Sequence, residues 1–193
     1  MATGPRERLR ALLDGEVPER VLIDFCGTPQ TGVNIYAYER LKERLGIHSP
    51  TEFLSRRAMI ARPHPEVLER FRVDLTIILP PEGGHEGVRP YMPEEDDGEQ
   101  EFTDGWGVHW KKPLRGHYYV VRHPLGKADL TLKEVEKYPW PDPSCPGVEA
   151  LRDEVIKLRE TSERAITLSL PSRLFAQGQR LTGFANWLLF LAK

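Results

Sequence analysis

The chain has little cysteine: Cys26 and Cys145 are the only two among 193 residues, and they stand far apart. They build neither a disulfide framework nor a paired zinc knuckle, and a reducing cytoplasmic location is expected. Long apolar runs are missing; none approaches the roughly 20 residues of a bilayer span, so no membrane partner is expected. The N-terminus is arginine-rich and lacks the apolar segment of a secretory signal. An excess of charge of one sign is missing too. Charged residues make up 29% and the net charge is −2, which gives no basis for a general nucleic-acid partner. No Gly-rich phosphate loop follows any strand-length run, which disfavours a dinucleotide-binding sheet.

What is present alternates between strand and helix signals. Thr3, Pro5 and Gly15 bracket a first helix, as N-cap, first-turn proline and C-terminal glycine, with Leu9, Leu12 and Leu13 as its buried stripe. Val21 to Phe25 is an apolar run of strand length that ends at Gly27-Thr28-Pro29. Tyr38, Leu41 and Leu45 share one face of the next helix, closed by Gly46. Ser49-Pro50-Thr51-Glu52 has capping-box spacing and predicts a helix through about Ile60; Pro65 opens another. Val73 to Leu79 predicts a second buried strand. Residues 82–101 read as loop, and the six acids among residues 94–101 read as a solvated face. Gly107 to Lys112 and His117 to His123 alternate and predict a hairpin.

Thr131-Leu132-Lys133-Glu134 is a second capping box, whose helix stops at Pro139. Pro139 to Pro143 is a stiff connector. Pro146 begins an amphipathic helix with Val148, Leu151, Val155 and Leu158 on its apolar face, and Ala165 to Leu170 predicts a third strand. Pro171-Ser172-Arg173 is a tight loop before the last helical stretch. From Gly183 to Lys193 that stretch is apolar nearly all round, a pattern suited to the inside of a larger protein. At a free end it would expose Trp187, Leu188, Leu189, Phe190 and Leu191. The expectation is therefore a truncated chain, the front part of a longer one.

Strands that alternate with helices predict a parallel sheet with right-handed crossovers. The expected fold class is α/β: the N-terminal part of a (β/α)8 TIM barrel, truncated, with a β-hairpin insertion at about 102–124. Residues 1–193 form its single partial domain.

Four segments resemble the uroporphyrinogen decarboxylase superfamily, which includes cobalamin-linked methyltransferases. They are Arg6-Glu7-Arg8-Leu9…Gly15…Pro18-Glu19-Arg20-Val21; Phe102-Thr103-Asp104-Gly105-Trp106-Gly107-Val108-His109-Trp110; Tyr138-Pro139-Trp140-Pro141-Asp142-Pro143; and Leu174-Phe175-Ala176-Gln177…Arg180-Leu181-Thr182-Gly183-Phe184. They occur in the family's order across nearly the whole chain. The resemblance implies a barrel of roughly 340 to 380 residues. It also implies a tetrapyrrole- or corrinoid-related one-carbon substrate.

Three local departures favour methyl transfer over decarboxylation. Decarboxylases of the family carry Met-Arg-Gln-Ala-Gly-Arg after the first strand, where cations hold the substrate's acids. Here Cys26-Gly27-Thr28-Pro29-Gln30-Thr31-Gly32 has no Arg or Lys. The essential Asp after the second strand is matched by Leu79-Pro80-Pro81-Glu82, and the Tyr after the third by Gln179. The methyltransferase branch holds zinc by His-x-Cys and a later Cys in the second half of the barrel. No cofactor is expected in this segment; zinc and a corrinoid are implied for a full-length protein. The expected partners are a small-molecule substrate, a corrinoid protein and, through the apolar last helix, a second copy. A divergent decarboxylase of porphyrin biosynthesis and a non-catalytic self-associating half-barrel remain alternatives.

Barrel chemistry sits on the loops after the strands, so candidate substrate-binding residues are taken there. Asp24 lies in an apolar run, where burial requires a partner, and Thr28 follows it. His85 stands in Gly-Gly-His-Glu-Gly. Trp106 marks the insertion's corner as a lid. Arg173 opens a helix where an anion is favoured, and Gln177 follows in that helix. Cys26 reads as a small buried residue, and no catalytic or metal-binding residue is assigned.

Overall fold

The computed structural model describes residues 3–25, 30–78, 89–92, 98–114, 116–141, 148–169 and 174–192, apart from the side chains of Val148 and Ala150. In chain order the elements are α1 (Pro5–Leu13), α2 (Ile35–Leu45), β1 (Glu52–Ser55), β2 (Ile60–Arg62), α3 (Pro65–Arg70), β3 (Leu75–Ile78) and β4 (Arg89–Pro90). There follow β5 (Gln100–Thr103), β6 (His109–Lys112), β7 (Tyr119–Arg122), α4 (Leu132–Glu136), α5 (Val148–Thr161), β8 (Ala165–Leu168), α6 (Leu174–Thr182) and α7 (Phe184–Ala192). This is a mixed α/β fold with small sheets, and among the described residues the strands close no barrel. No described helix is long and apolar enough to cross a membrane. The chain divides into two units: one holds the described residues up to 78 with 89–91 and 148–169, the other holds 92, 98–141 and 174–192.

In the first unit β3 and β8 pair in parallel, from Leu75 opposite Ala165 to Ile78 opposite Leu168. These are the second and third strands expected from the sequence. Leu75, Ile78 and Ala165 are buried there. The strand expected at Val21 to Phe25 does not form. The Ile23 N–H donates to the Asp74 carboxylate at 2.8 Å, while the Asp74 N–H donates to the Ile23 carbonyl at 2.9 Å. A side chain thus takes the donor that a ladder would need.

The helix expected from the Ser49–Glu52 capping box is instead the antiparallel hairpin β1–β2, with Phe53 opposite Ala61. Thr51 Oγ1 donates to Glu39 rather than capping a helix. The Ile35 N–H donates to Met59 O and the Ala61 N–H donates to Val33 O. Met59 adopts φ 56° to make the turn. Adjacent Phe53 and Leu54 point to opposite faces of β1 and are both buried, so both faces of the strand are covered.

Two expectations for α1 also change. Gly4, not Thr3, is its N-cap, and its N–H donates to the Glu7 carboxylate at 2.9 Å. The stripe expected to be buried is partly in water: Leu12 and Leu13 are 50% and 77% exposed, while Arg8 is buried. Arg8 is drawn inward by Asp74, which its Nη2 reaches at 2.9 Å.

In the second unit β5, β6 and β7 form an antiparallel sheet, with Phe102 opposite Trp110 and Trp110 opposite Val120. The hairpin was expected; β5 lies partly in the stretch read as loop. Two of the six acids among residues 94–101 are cross-strand partners: Glu99 and Glu101 both pair with Lys111, and Glu101 also accepts from His109 at 3.1 Å; the other four lie outside the described residues. Helix α4 has the expected capping box, with Thr131 and Glu134 satisfying each other's backbone N–H groups. Helices α6 and α7 break at Gly183, φ 85°. They pack tightly enough that a Cβ on Gly178 would lie 2.4 Å from the Trp187 ring. Leu188, Leu189 and Leu191 are exposed, as the sequence predicts; Trp187 and Phe190 are only half-exposed.

Candidate functional site

The turn from β5 to β6 is built by one carboxylate. Asp104 Oδ1 accepts from the N–H groups of Trp106 and Val108 at 2.9 and 3.0 Å, and its Oδ2 accepts from Trp110 Nε1 at 2.8 Å. Gly107 completes the turn at φ 71°. The Tyr138 hydroxyl donates to the Trp106 carbonyl. Burial, and then the charge of Asp104, push the Tyr138 phenol up from its ordinary value and keep it in the donating form. The Trp106 and Trp140 rings meet edge to face at 6.3 Å. On α6, Leu181 O accepts from the Leu125 N–H at 2.8 Å, and Arg180 O lies 2.7 Å from His123 Nδ1. These bonds fix the segment before α4 against α6.

Together these elements line a half-open cavity of about 500 Å³. Trp106 and Trp140 stand on one side, Leu132 and Val135 of α4 on another, and Gln177, Leu181 and Trp187 of α6 and α7 complete it. No described residue that lines it is charged. The size lies within the usual range for small-molecule sites, roughly 300 to 1,000 Å³. Two buried donors near it lack partners, Gln177 Nε2 and Trp187 Nε1. Gln177 Oε1 accepts from Arg180 Nη1 at 3.3 Å.

Two of the six residues expected at a site, Trp106 and Gln177, thus line one cavity. Asp24 lies in the other unit, half-buried, and accepts from the Thr31 hydroxyl at 3.0 Å. Thr28, His85 and Arg173 lie outside the described residues, as do Cys26 and Cys145. Among the described residues no three His, Cys, Asp or Glu side chains converge on a metal-sized site. Sequence reasoning missed Trp140 and Trp187 as pocket residues. The available signal was the concentration of tryptophan: three of the four in the chain, Trp106, Trp140 and Trp187, line this cavity.

Fold and cavity together define a mixed α/β protein with an uncharged, aromatic-walled pocket of ligand size. No family model, curated protein or solved structure matches the chain.

Proposed function

We propose that the chain supplies the first strands of a (β/α)8 barrel enzyme of the uroporphyrinogen decarboxylase superfamily. The enzyme acts in the cytoplasm on a corrinoid- or tetrapyrrole-related one-carbon substrate, with methyl transfer favoured over decarboxylation. Two observations support a barrel of this kind. The four motifs keep the family's order, and β3 and β8 pair in parallel with α5 leading into β8, as successive barrel strands do.

The observation that carries methyl transfer is the chemistry of the cavity. A polycarboxylate requires bidentate cations at close range, and no described lining residue is a cation. An apolar wall suits a neutral one-carbon centre from which water must be excluded. The zinc ligands that the resemblance implies belong to the second half of the barrel, and the described residues hold no metal-ligand group. The chain's own contribution is to bind, orient and desolvate.

The test is a titration of the purified protein with methylcobalamin, followed by tryptophan quenching, beside an anaerobic assay with uroporphyrinogen. Saturable corrinoid binding without coproporphyrinogen formation is expected. Coproporphyrinogen formation would move the protein to the decarboxylases, and absence of corrinoid binding would reject the methyl-transfer assignment.

One observation favours a second reading, self-association without catalysis. Helix α7 contains no charged residue and exposes Phe184, Leu188, Leu189 and Leu191. Sedimentation velocity of the protein decides it: a monomer at micromolar concentration removes this reading.

A further inference from the structure

We propose that the cavity walled by α4, α6, α7 and the β5–β6 turn binds an uncharged, largely apolar small molecule bearing a carbonyl-type hydrogen-bond acceptor. The lining decides the charge. No described residue on it is ionised, and a buried ion without a counter-charge is strongly disfavoured. The hydroxyls that reach the wall are already engaged. Thr131 Oγ1 bonds the Glu134 carboxylate at 2.9 Å, and Thr182 Oγ1 donates to Gly178 O at 2.8 Å.

The acceptor follows from two buried donors without partners, Gln177 Nε2 and Trp187 Nε1. Buried N–H groups in folded proteins are nearly always paired, and an orphan calls for a ligand or an ordered water. The Gln177 amide is held by its oxygen, which accepts from Arg180, so its NH₂ is the end left over. The Trp187 ring lies across Gly178, the residue after Gln177; a Cβ built there would be 2.5 Å from Cε2, the ring atom bonded to Nε1. Gln177 and Trp187 both line the cavity. A carbonyl oxygen has two lone pairs and can serve two donors. The flat walls of Trp106 and Trp140 suit an aromatic or conjugated body. A second copy inserting Leu188, Leu189 or Leu191 would fill space with hydrocarbon and leave both donors bare. The site stands whether or not the chain takes part in methyl transfer.

The probe is prodan, a neutral naphthalene with a ketone, compared with 2-(dimethylamino)naphthalene, which lacks the ketone, and with anionic anilinonaphthalene sulfonate. Energy transfer from tryptophan reports binding. Prodan is expected to bind saturably with one site per chain, and more tightly than either comparison probe. Gln177→Leu removes an orphan donor at nearly equal volume, so the fold should survive, as a thermal melt will check. It should weaken prodan about five- to tenfold and leave the ketone-free probe unchanged. Val135→Trp, which fills the cavity, should abolish binding of both neutral probes. The proposal is overturned by any of four results: no saturable prodan binding, an equal effect of Gln177→Leu on the two neutral probes, preference for the anionic probe, or a dimer that Val135→Trp dissociates. Corrinoid titration reads a different ligand, so either proposal can fail alone.

Discussion

Replacing Asp74 tests what organises the first unit. Its side chain is fully buried and accepts five hydrogen bonds: from Arg8 Nε and Nη2 at 3.3 and 2.9 Å, from Arg20 Nη1 and Nη2 at 2.8 and 2.6 Å, and from the Ile23 N–H at 2.8 Å. Asp74→Asn keeps the shape but removes the charge and turns one acceptor into a donor that faces other donors. Arg8, 7% exposed, would then keep the Thr3 carbonyl and a single carboxylate, Glu19, whose side chain is 41% exposed. Breaking a buried pair from one side costs about 3–5 kcal/mol, against a total of about 5–15 kcal/mol for a typical domain. Arg20 is 34% exposed, so Arg20→Ala should cost less, about 1–2 kcal/mol.

Tryptophan fluorescence is the wrong probe, because all four tryptophans lie in the second unit. Urea-dependent hydrogen exchange at the β3 and β8 amides is the right one. The pH profile provides a second readout. Burial pushes the Asp74 carboxyl up, but the Ile23 N–H, Arg8 and Arg20 outweigh it and hold the group below its ordinary value. A group lowered in the folded state stabilises above its unfolded pKa, and that contribution is lost as pH falls through the folded one. The wild type should therefore lose stability below the ordinary carboxylate range, around pH 4, and Asp74→Asn should flatten that loss. A change under about 0.5 kcal/mol, the size of an ordinary surface substitution, with an unaltered acid slope, would refute a structural role for the cluster.

The other predictions concern the second unit. Gly178→Ala, a change that stabilises an ordinary helix interior, should here destabilise by about 1–3 kcal/mol, because the new methyl meets the Trp187 ring at 2.4 Å; a rise in the melting temperature would contradict it. Asp104→Ala strips three donors in the β5–β6 turn and should cost at least about 2 kcal/mol, seen as a lower urea midpoint by tryptophan emission. Glu134 is lowered to about 2, first by Lys127 and then by the Thr131 backbone and hydroxyl. Its contribution to capping α4 should hold above its ordinary carboxyl range and disappear as pH falls through about 2. A carboxyl carbon shift titrating near 4 would count against that geometry.

The elements read correctly from sequence are those whose cause is local. Gly46 at φ 70° ends α2, Thr131 and Glu134 cap α4, and the apolar runs at β3 and β8 pair in parallel. The misreadings occur where a distant group takes over a local donor. The Ser49–Glu52 signature is a capping box in spacing alone, because Glu39 takes the Thr51 hydroxyl and Tyr91 donates to the Thr51 carbonyl at 2.8 Å. Val21 to Phe25 has a strand's composition, but Asp74 occupies the donor of Ile23 from 51 residues away. Arg8 is not in the stripe of Leu9, Leu12 and Leu13, yet it is buried because the buried Asp74 holds it.

The candidate site follows the same rule. Gln177 could be chosen as a polar residue following a strand-end loop; that its amide nitrogen has no partner could not. That property depends on Arg180 taking the oxygen, just as the Trp187 donor depends on its ring crossing Gly178. The crossing in turn depends on the chain reversing between two helices at Gly183, φ 85°. Sequence period reports which residues share a face, whereas the satisfaction of a polar atom is set by whichever element lands on that face. Hence the tryptophans that looked like an exposed terminal liability and a proline-rich connector turn out to wall a pocket, and its chemistry lies in what they leave unbonded.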